Sequence, residues 1–412
     1  MININLIREN PDLVKEGMRR KLADPDLIDR FLKLDEEWKV LRRKTDDLRA
    51  SQKNLGPDNR DKAKEIKEEV IKNEDKIKVL EEEKDSILSL IPNMPFAEVP
   101  MGKDDEENQV VRIWGEAPKF DFKPKDYMDV AQNLIDTERA SKISGSRFGY
   151  IFGDLAELEF ALLRFAFDAL LPHGFRLSLP PVMVRPETLR RTGKGKFIDG
   201  GDAFYLPADD LYLVGSSEQS LVAMFMDETI DVSVPRRFLG FSTCFRREAG
   251  SYGKDTKGIL RVHQFNKLEM ISFCHPDKSE EEHQFLLARQ EELMQKLGIH
   301  HRVIINCTGD MGFDGGKQYD VEAWIPSQGK FRETHSCTNT TDFQARGLGT
   351  TFRIRAEDGK ERNEFVHTLN ATALSERPLL AILENYQQED GTVSVPEVLR
   401  PYFGRDKIFP NK

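Results

Sequence analysis

Between Ile28 and Ile91 apolar residues recur at helical steps with one interruption, and this restricts the N-terminal part of the chain to paired helices. Ile28, Phe31, Leu34, Trp38, Leu41, Leu48 and Leu55 form one series at steps of three, four and seven. Ile66, Val70, Asn73, Ile77, Leu80, Ile87 and Ile91 form a second. LGPDNRD lies between them, where Gly56 and Pro57 must stop a helix. Two heptad-patterned helices across a short turn make an antiparallel hairpin with its seam buried between them. Each helix has apolar residues for only one stripe, so the hairpin is expected to project from the body. Pro92 and Pro95 in IPNMPFAEVP end the second helix.

Such a hairpin can be a spacer or dimerisation coiled coil, or it can bind a polyanion. The first helix gathers Lys39, Arg42, Arg43, Lys44, Arg49 and Lys53 towards its distal half. In a chain of formal net charge -10, that is a local candidate for a phosphate-backbone surface, although Asp46 and Asp47 are interspersed. The overall charge gives no sign of general nucleic-acid binding.

From about residue 106 the pattern changes. Helical segments (154–171, 278–297, 377–388) alternate irregularly with β-like runs such as LYLV, RRFLGFSTCFR, LEMISF, RVIIN and YDVEAWI. Successive strands across turn-rich loops argue for a largely antiparallel sheet with packed helices, an α+β domain. The division is drawn at residues 1–105 and 106–412. No phosphate-binding glycine loop of the Walker or dinucleotide type occurs. Four dispersed cysteines without a CxxC pair make neither a zinc site nor a disulfide framework an expectation. No signal pattern and no apolar run of about 18 residues is present, so a soluble cytoplasmic protein without membrane partners is expected.

The most informative stretch is CFRREAGSYGKDTKGILRVHQFNKLEM, residues 244–270. Read as two strands about a loop, alternation puts Arg246 and Glu248 on one face and aligns Arg261, His263, Phe265, Lys267 and Glu269. Arginine suits phosphate or carboxylate recognition, phenylalanine offers a face to a purine, and glutamate accepts from an amine or holds magnesium. The alternative is a solvated charged sheet face over a core phenylalanine.

That stretch closely resembles motif 2 of seryl-tRNA synthetases, which are class II aminoacyl-tRNA synthetases, and the resemblance covers essentially the whole chain. GFRLSLPPVMV (174–184) is similar to motif 1, with Pro181 as its interface proline. TGKGKFIDGGDAFYL resembles the segment before the serine-binding strand, and LVGSSEQSL (213–221) the amino-acid-binding T-x-E element. KFRETHSCTNTTDFQARG (330–347) resembles an ATP-site strand and HTLNATALSERPLLAILENYQ (367–387) motif 3, while the hairpin resembles the family's tRNA-binding arm.

The resemblance implies a class II catalytic domain built on an antiparallel sheet, preceded by a two-helix arm. It implies a homodimer that forms seryl-adenylate from L-serine and ATP and passes serine to the 3′ end of tRNA(Ser), with tRNA(Sec) served as well. Magnesium accompanies ATP. By similarity Arg246 bridges the α-phosphate and the serine carboxylate. Glu248, Val262 and Phe265 hold the adenine end, with Arg247 also assigned to the ATP site. Arg261 and Arg377 serve the outer phosphates, Glu333 and Ser336 the magnesium, and Thr334 and His335 line the site. Glu218 receives the α-ammonium group beside Ser216 and Ser217, Glu269 and Thr372 surround the side-chain hydroxyl, and Asn370 is also assigned to serine binding. Arg246, Arg377 and Glu269 are the catalytic set, and the six basic residues of the arm are the tRNA contacts. The loop AGSYGKDTKG is expected to meet the tRNA acceptor end. Cys244 and Cys337 read as packing residues and His263 as structural.

The match loosens twice. SSE (216–218) replaces the usual TAE or TSE, and NATALSERP is one residue shorter than motif 3, with Glu376 directly before Arg377. A different loop shape around Thr372 is therefore expected. Two relatives of other function stay open: an adenylating enzyme that loads a carrier protein, and a non-catalytic binding module.

Overall fold

The computed structural model describes residues 1–55, 59–249, 257–355 and 359–410. They form two compact units, 1–94 and 95–412. Residues 95–105, grouped with the first part on sequence, belong to the second unit. Backbone bonds explain this: Phe96 N donates to the Gly316 carbonyl and Thr308 N to the Pro100 carbonyl.

In the first unit, helices α1 (Asp26–Lys53) and α2 (Arg60–Leu88) form the antiparallel hairpin. The turn assigned to Gly56 and Pro57 lies outside the described residues. The seam differs from the apolar series in one respect. Asp35, Thr45 and Lys84, outside that series, are buried with Ile28, Phe31, Val70, Asn73, Ile77 and Ile87. Asp35, only 1% exposed, accepts from Arg8 Nε and Nη2 at 2.8 Å each, and pairs with Lys84 Nζ at 2.6 Å and Lys39 Nζ at 2.8 Å. Lys84 in turn lies 4.2 Å over the Trp38 ring, whose Nε1 donates to Glu81. A heptad scan counts apolar residues, so a buried ionic knot escapes it.

The second unit is organised by one sheet, of eight strands among the described residues. They are β1 (Gln109–Trp114), β2 (Phe175–Ser178), β3 (Arg236–Phe245), β4 (Gln264–Cys274), β5 (His301–Ile305), β6 (Lys317–Ile325), β7 (Lys330–Asn339) and β8 (His367–Ser375). Their spatial order is β1-β5-β6-β7-β8-β4-β3-β2, antiparallel throughout except for the β2–β3 pair. Helices α3 (Gly153–Leu170), α4 (Ser279–Lys296) and α5 (Glu376–Asn385) cover one face. The pleat sends Leu268, Met270 and Cys274 of β4, Cys337 of β7 and Leu369 and Ala371 of β8 into the core they share. On the opposite face, Ile271 and Phe273 join a second apolar cluster with Leu221, Phe238 and Val366. Lys267 and Glu269 of β4 continue that face. Among the described residues no helix is long and apolar enough to cross a membrane.

Burial opposes the charge on Asp35, but bonds from Arg8, Lys39 and Lys84 hold its carboxyl well below the usual carboxylate range. Such a group stabilises the fold above its unfolded pKa, and the contribution is lost as pH falls below that value. Asp35→Asn, which leaves Lys84 buried without its anion, is expected to destabilise the hairpin unit by about 3 kcal/mol at neutral pH. Urea unfolding followed by helical circular dichroism checks this; the difference from the parent chain should shrink below about pH 4.

Candidate functional site

The polar end of the open sheet face holds a cavity of about 430 Å³. Its floor is β4, where alternation holds: Phe265 and Lys267 line the cavity, and Glu269 follows beneath, 1% exposed. Glu269 is paired with Lys267 Nζ and accepts from Ser216 Oγ at 3.2 Å. Burial raises its pKa, with Glu218 adding to the effect and Lys267 and Ser216 opposing it.

The flanks depart from simple alternation. β3 ends at Phe245 and β4 begins only at Gln264, so Arg246, Glu248, Arg261 and Val262 reach the cavity from the segments beyond the strand ends. Glu248 sits at φ 54°, in the left-handed region. Arg246 is fixed from both ends of its length: its N–H donates to the His263 carbonyl at 3.0 Å and its Nε to the Gly215 carbonyl at 3.0 Å. Its guanidinium lies 5.2 Å over the Phe265 ring. His263 contacts the Arg246 carbonyl through Nδ1, which gives it the structural position expected. Arg261 Nη1 donates to Glu248 Oε2 at 2.8 Å.

Two β-bulges complete the lining. Val321 pairs with His335 but Glu322 with Glu333, so Thr334 is an extra residue in β7, and Glu333, Thr334 and Ser336 all line the cavity. In β8, Thr372 pairs with Glu269 and Leu374 with Leu268, which makes Ala373 the extra residue. β8 then runs to Ser375, and α5 starts at Glu376 with no loop between. The short motif 3 is thus a direct strand-to-helix junction, capped by Ser375 Oγ accepting from Arg377 N. Arg377 Nη1 donates to the Glu333 carbonyl at 2.9 Å and pairs with Glu333 Oε2 at 3.0 Å. Burial works against the charge on Glu333, but Arg377, Arg246 and Lys267 outweigh it and hold the pKa low.

The amino-acid end is built on the segment 215–218. Gln344 Nε2 at 2.8 Å, Lys194 Nζ at 3.1 Å and Asn370 Nδ2 at 3.2 Å all meet Oε1 of Glu218. Lys194 Nζ also pairs with Asp314 Oδ2 at 2.8 Å. Gly193 allows this approach: at φ 80° it packs where a Cβ would meet Phe343 Cε1 at 2.9 Å.

Three expected site residues lie elsewhere among the described contacts. Arg247 turns away from the cavity, its Nε on the Ala203 carbonyl and its guanidinium 4.5 Å over Phe204. Ser217 is buried with its Oγ on the Gly240 carbonyl. His335 is buried on the other side of the β7 bulge against Thr334 Oγ1, and burial with His301 nearby lowers its pKa to about 3, so it is neutral. The extra strand residue in β7 accounts for His335, since unbroken alternation from Glu333 would have turned it towards the cavity. Of the loop AGSYGKDTKG, residues 250–256 lie outside the described residues. Lys194, Asp314 and Gln344 were not singled out from the sequence. Lys194 lies in the quoted TGKGKF segment, but no spacing ties it to Asp314 or Gln344, more than a hundred residues away.

On the arm, Lys39 pairs with Asp35, Arg42 with Asp46, Lys44 with Glu69 and Arg49 with Glu74. Among the described residues Arg43 and Lys53 make no ion pair.

Family models match the two units separately. The seryl-tRNA synthetase N-terminal domain matches residues 1–95, and the tRNA synthetase class II core domain (G, H, P, S and T) matches residues 206–386. The chain is 42% identical to the serine–tRNA ligase of Thermobifida fusca, over 100% of this chain and 99% of that one. It is 40% identical to that of Fervidobacterium nodosum, over all of both chains. Among solved structures, a seryl-tRNA synthetase from Pyrococcus horikoshii complexed with ATP superposes with a TM-score of 0.93 at 38% identity over the full length of both chains.

Glu376 lines the cavity, and burial together with Glu159 raises its pKa to about 8. A carboxyl raised this far holds its proton in the folded state, so its contribution to stability falls as pH rises from about 4.5 through 8. Glu376→Gln should therefore melt close to the parent chain near pH 4, above it by pH 6 and furthest above it at pH 9. Thermal melts across that range check the sign.

Proposed function

Because the chain belongs to the seryl-tRNA synthetase family of class II aminoacyl-tRNA synthetases, we propose that it activates L-serine with ATP and charges tRNA(Ser), and extends to tRNA(Sec). The observation that carries the reading is a single cavity with arginines and the half-buried ring of Phe265 at one end and an amine-accepting carboxylate, Glu218, at the other. That is the outline of an aminoacyl-adenylate. The first step is attack of a serine carboxylate oxygen on the α-phosphorus, with pyrophosphate leaving. In the second, a hydroxyl at the tRNA 3′ end attacks the serine carbonyl carbon and AMP leaves. Neither needs a protein nucleophile. Catalysis is orientation and charge stabilisation in a partly desolvated site.

Arg246 neutralises charge developing at the α-phosphate and orients the serine carboxylate. Phe265 and Val262 take the adenine, with Glu248 at its exocyclic end. Arg261 and Arg377 hold the outer phosphates and orient the leaving group. Glu333 and Ser336 line the cavity side by side and offer a carboxylate and a hydroxyl oxygen, a donor set that fits magnesium shared with nucleotide phosphates. The ion, when bound there, supplies Lewis-acid neutralisation of phosphate charge. Thr372 and Glu269 surround the serine hydroxyl. A buried site built to bond a hydroxyl rejects alanine because its polar groups would be left unpaired, and threonine is excluded by space. The motif 1 resemblance, with Pro181, supports a homodimer, and the family a cytoplasmic location. The match of residues 1–95 to the seryl-tRNA synthetase N-terminal domain favours tRNA over a carrier protein as acceptor.

Amino-acid-dependent ATP–pyrophosphate exchange across an amino-acid panel tests activation, and tRNA charging tests transfer. Exchange with serine alone is expected; its absence sinks the reading, and exchange without charging points to a carrier protein. Arg246→Ala should lower kcat by about a hundredfold or more. Arg43→Ala with Lys53→Ala should raise the KM for tRNA and flatten its salt dependence, with exchange constants unaltered.

A further inference from the structure

Gln344 Nε2 donates to Glu218 Oε1 and to Asp314 Oδ2, both at 2.8 Å. The residue is fully buried in the short helix Phe343–Leu348 and does not line the cavity, so it can act on a bound amino acid only through Glu218. Its own Oε1 accepts from Thr368 Oγ1 at 2.9 Å, with Thr340 Oγ1 at 3.2 Å. These contacts allow one orientation of the amide. Turned over, it would set its oxygen against two carboxylates.

The terminal bond of a glutamate turns easily and its two oxygens are chemically alike. In this site they are made unequal. Gln344, Lys194 Nζ at 3.1 Å and Asn370 Nδ2 at 3.2 Å all meet Glu218 Oε1, and among the described residues no donor reaches Oε2. Gln344 makes the shortest of the three contacts. Lys194 is a flexible side chain that itself lines the cavity, whereas Gln344 is held from behind by Thr368 and Asp314. A neutral amide also fixes a carboxylate without bringing a charge of its own, so the free oxygen remains a strong acceptor for an ammonium group.

We propose that Gln344 is a positioning residue for amino-acid binding: oriented by Thr368 and Asp314, it clamps Glu218 through Oε1 and leaves Oε2 to receive the α-ammonium group. This rests on the serine-activating reading given above. Gln344 then matters to the ammonium group of a ligand and not to its adenylate end.

The test is calorimetric titration of the full chain with two stable adenylate analogues, seryl-sulfamoyl adenosine and its 3-hydroxypropanoyl counterpart, which differs only in lacking the α-amine. The parent chain should bind the seryl compound the more tightly. Gln344→Met is close in volume and has no donors. It should weaken the seryl compound about tenfold and change the other by less than about twofold, because the lost bond is one to a charged group. A merely structural role weakens both alike. Should Gln344→Met melt before assay temperature, Thr368→Val removes the hydroxyl that orients the amide and should show the same selective loss, about threefold. Equal weakening of both compounds, or of neither, overturns this inference alone, as does a parent chain that does not distinguish them. A parent chain that binds neither compound defeats the functional reading, and this inference with it.

Discussion

One row of the sheet, Gly240–Glu269–Thr372 across β3, β4 and β8, fixes the geometry on which the amino-acid end of the cavity depends. Antiparallel pairing sets the three residues side by side, and the pleat points them all to the open face. Gly240 has no Cβ, and one placed there would meet Leu221 Cδ1 at 2.3 Å and Ser217 Oγ at 3.0 Å. The segment 216–222 therefore packs directly on β3, with Ser217 bonded to the Gly240 carbonyl. That contact brings Ser216 within 3.2 Å of Glu269 and presents Glu218 to the cavity. A side chain at 240 would lift the whole segment, so a backbone vacancy controls where Glu218 stands relative to Glu269.

The second constraint is the pair of bulges. In a regular strand only every second residue faces the cavity, which limits how many groups β7 and β8 could contribute. The extra residue at Thr334 puts Glu333 and Thr334 on the lining together, with Ser336 following at regular spacing. The extra residue at Ala373 shifts the phase of β8 after Thr372, and the strand hands over to α5 at once. Arg377, in the first turn of that helix, then lies against Glu333. Bulges are determined by the pairing between strands distant in sequence, and so they carry no local signature.

This sorts what was legible in the sequence from what was not. The hairpin, the antiparallel α+β body and the run of β4 came from periodicity, because each is a repeated local preference. Phe265 and Lys267 share a face for that reason. Arg261 reaches the same cavity, but from the segment before β4, which starts at Gln264, so period two does not account for its place. Arg247 and His335 were placed by neighbourhood in a motif, and the structure separates them by the end of β3 and by the β7 bulge. The ionic knot at Asp35 and the cluster of Lys194, Asp314 and Gln344 are pairwise electrostatic facts. Their partners come together only through tertiary packing, such as the contact of Gly193 with Phe343.

The three arginines of the cavity are held in unequal ways, and the inequality bears on the reaction. Arg261 rests on Glu248 and Arg377 on Glu333, so each meets a phosphate with part of its charge already answered. Arg246 is anchored instead by a neutral acceptor, the Gly215 carbonyl, and among the described residues it has no carboxylate partner. A carbonyl takes up one of the five N–H donors of a guanidinium and leaves the charge whole. The side chain is thus ordered before substrate arrives, which removes an entropic cost from binding, while its field stays available to an anion. Of the three, Arg246 is the one whose electrostatic contribution is not offset by an ion pair that must first be loosened. On the proposed chemistry, that is the property required of the group facing the α-phosphate, where negative charge grows as the serine carboxylate attacks.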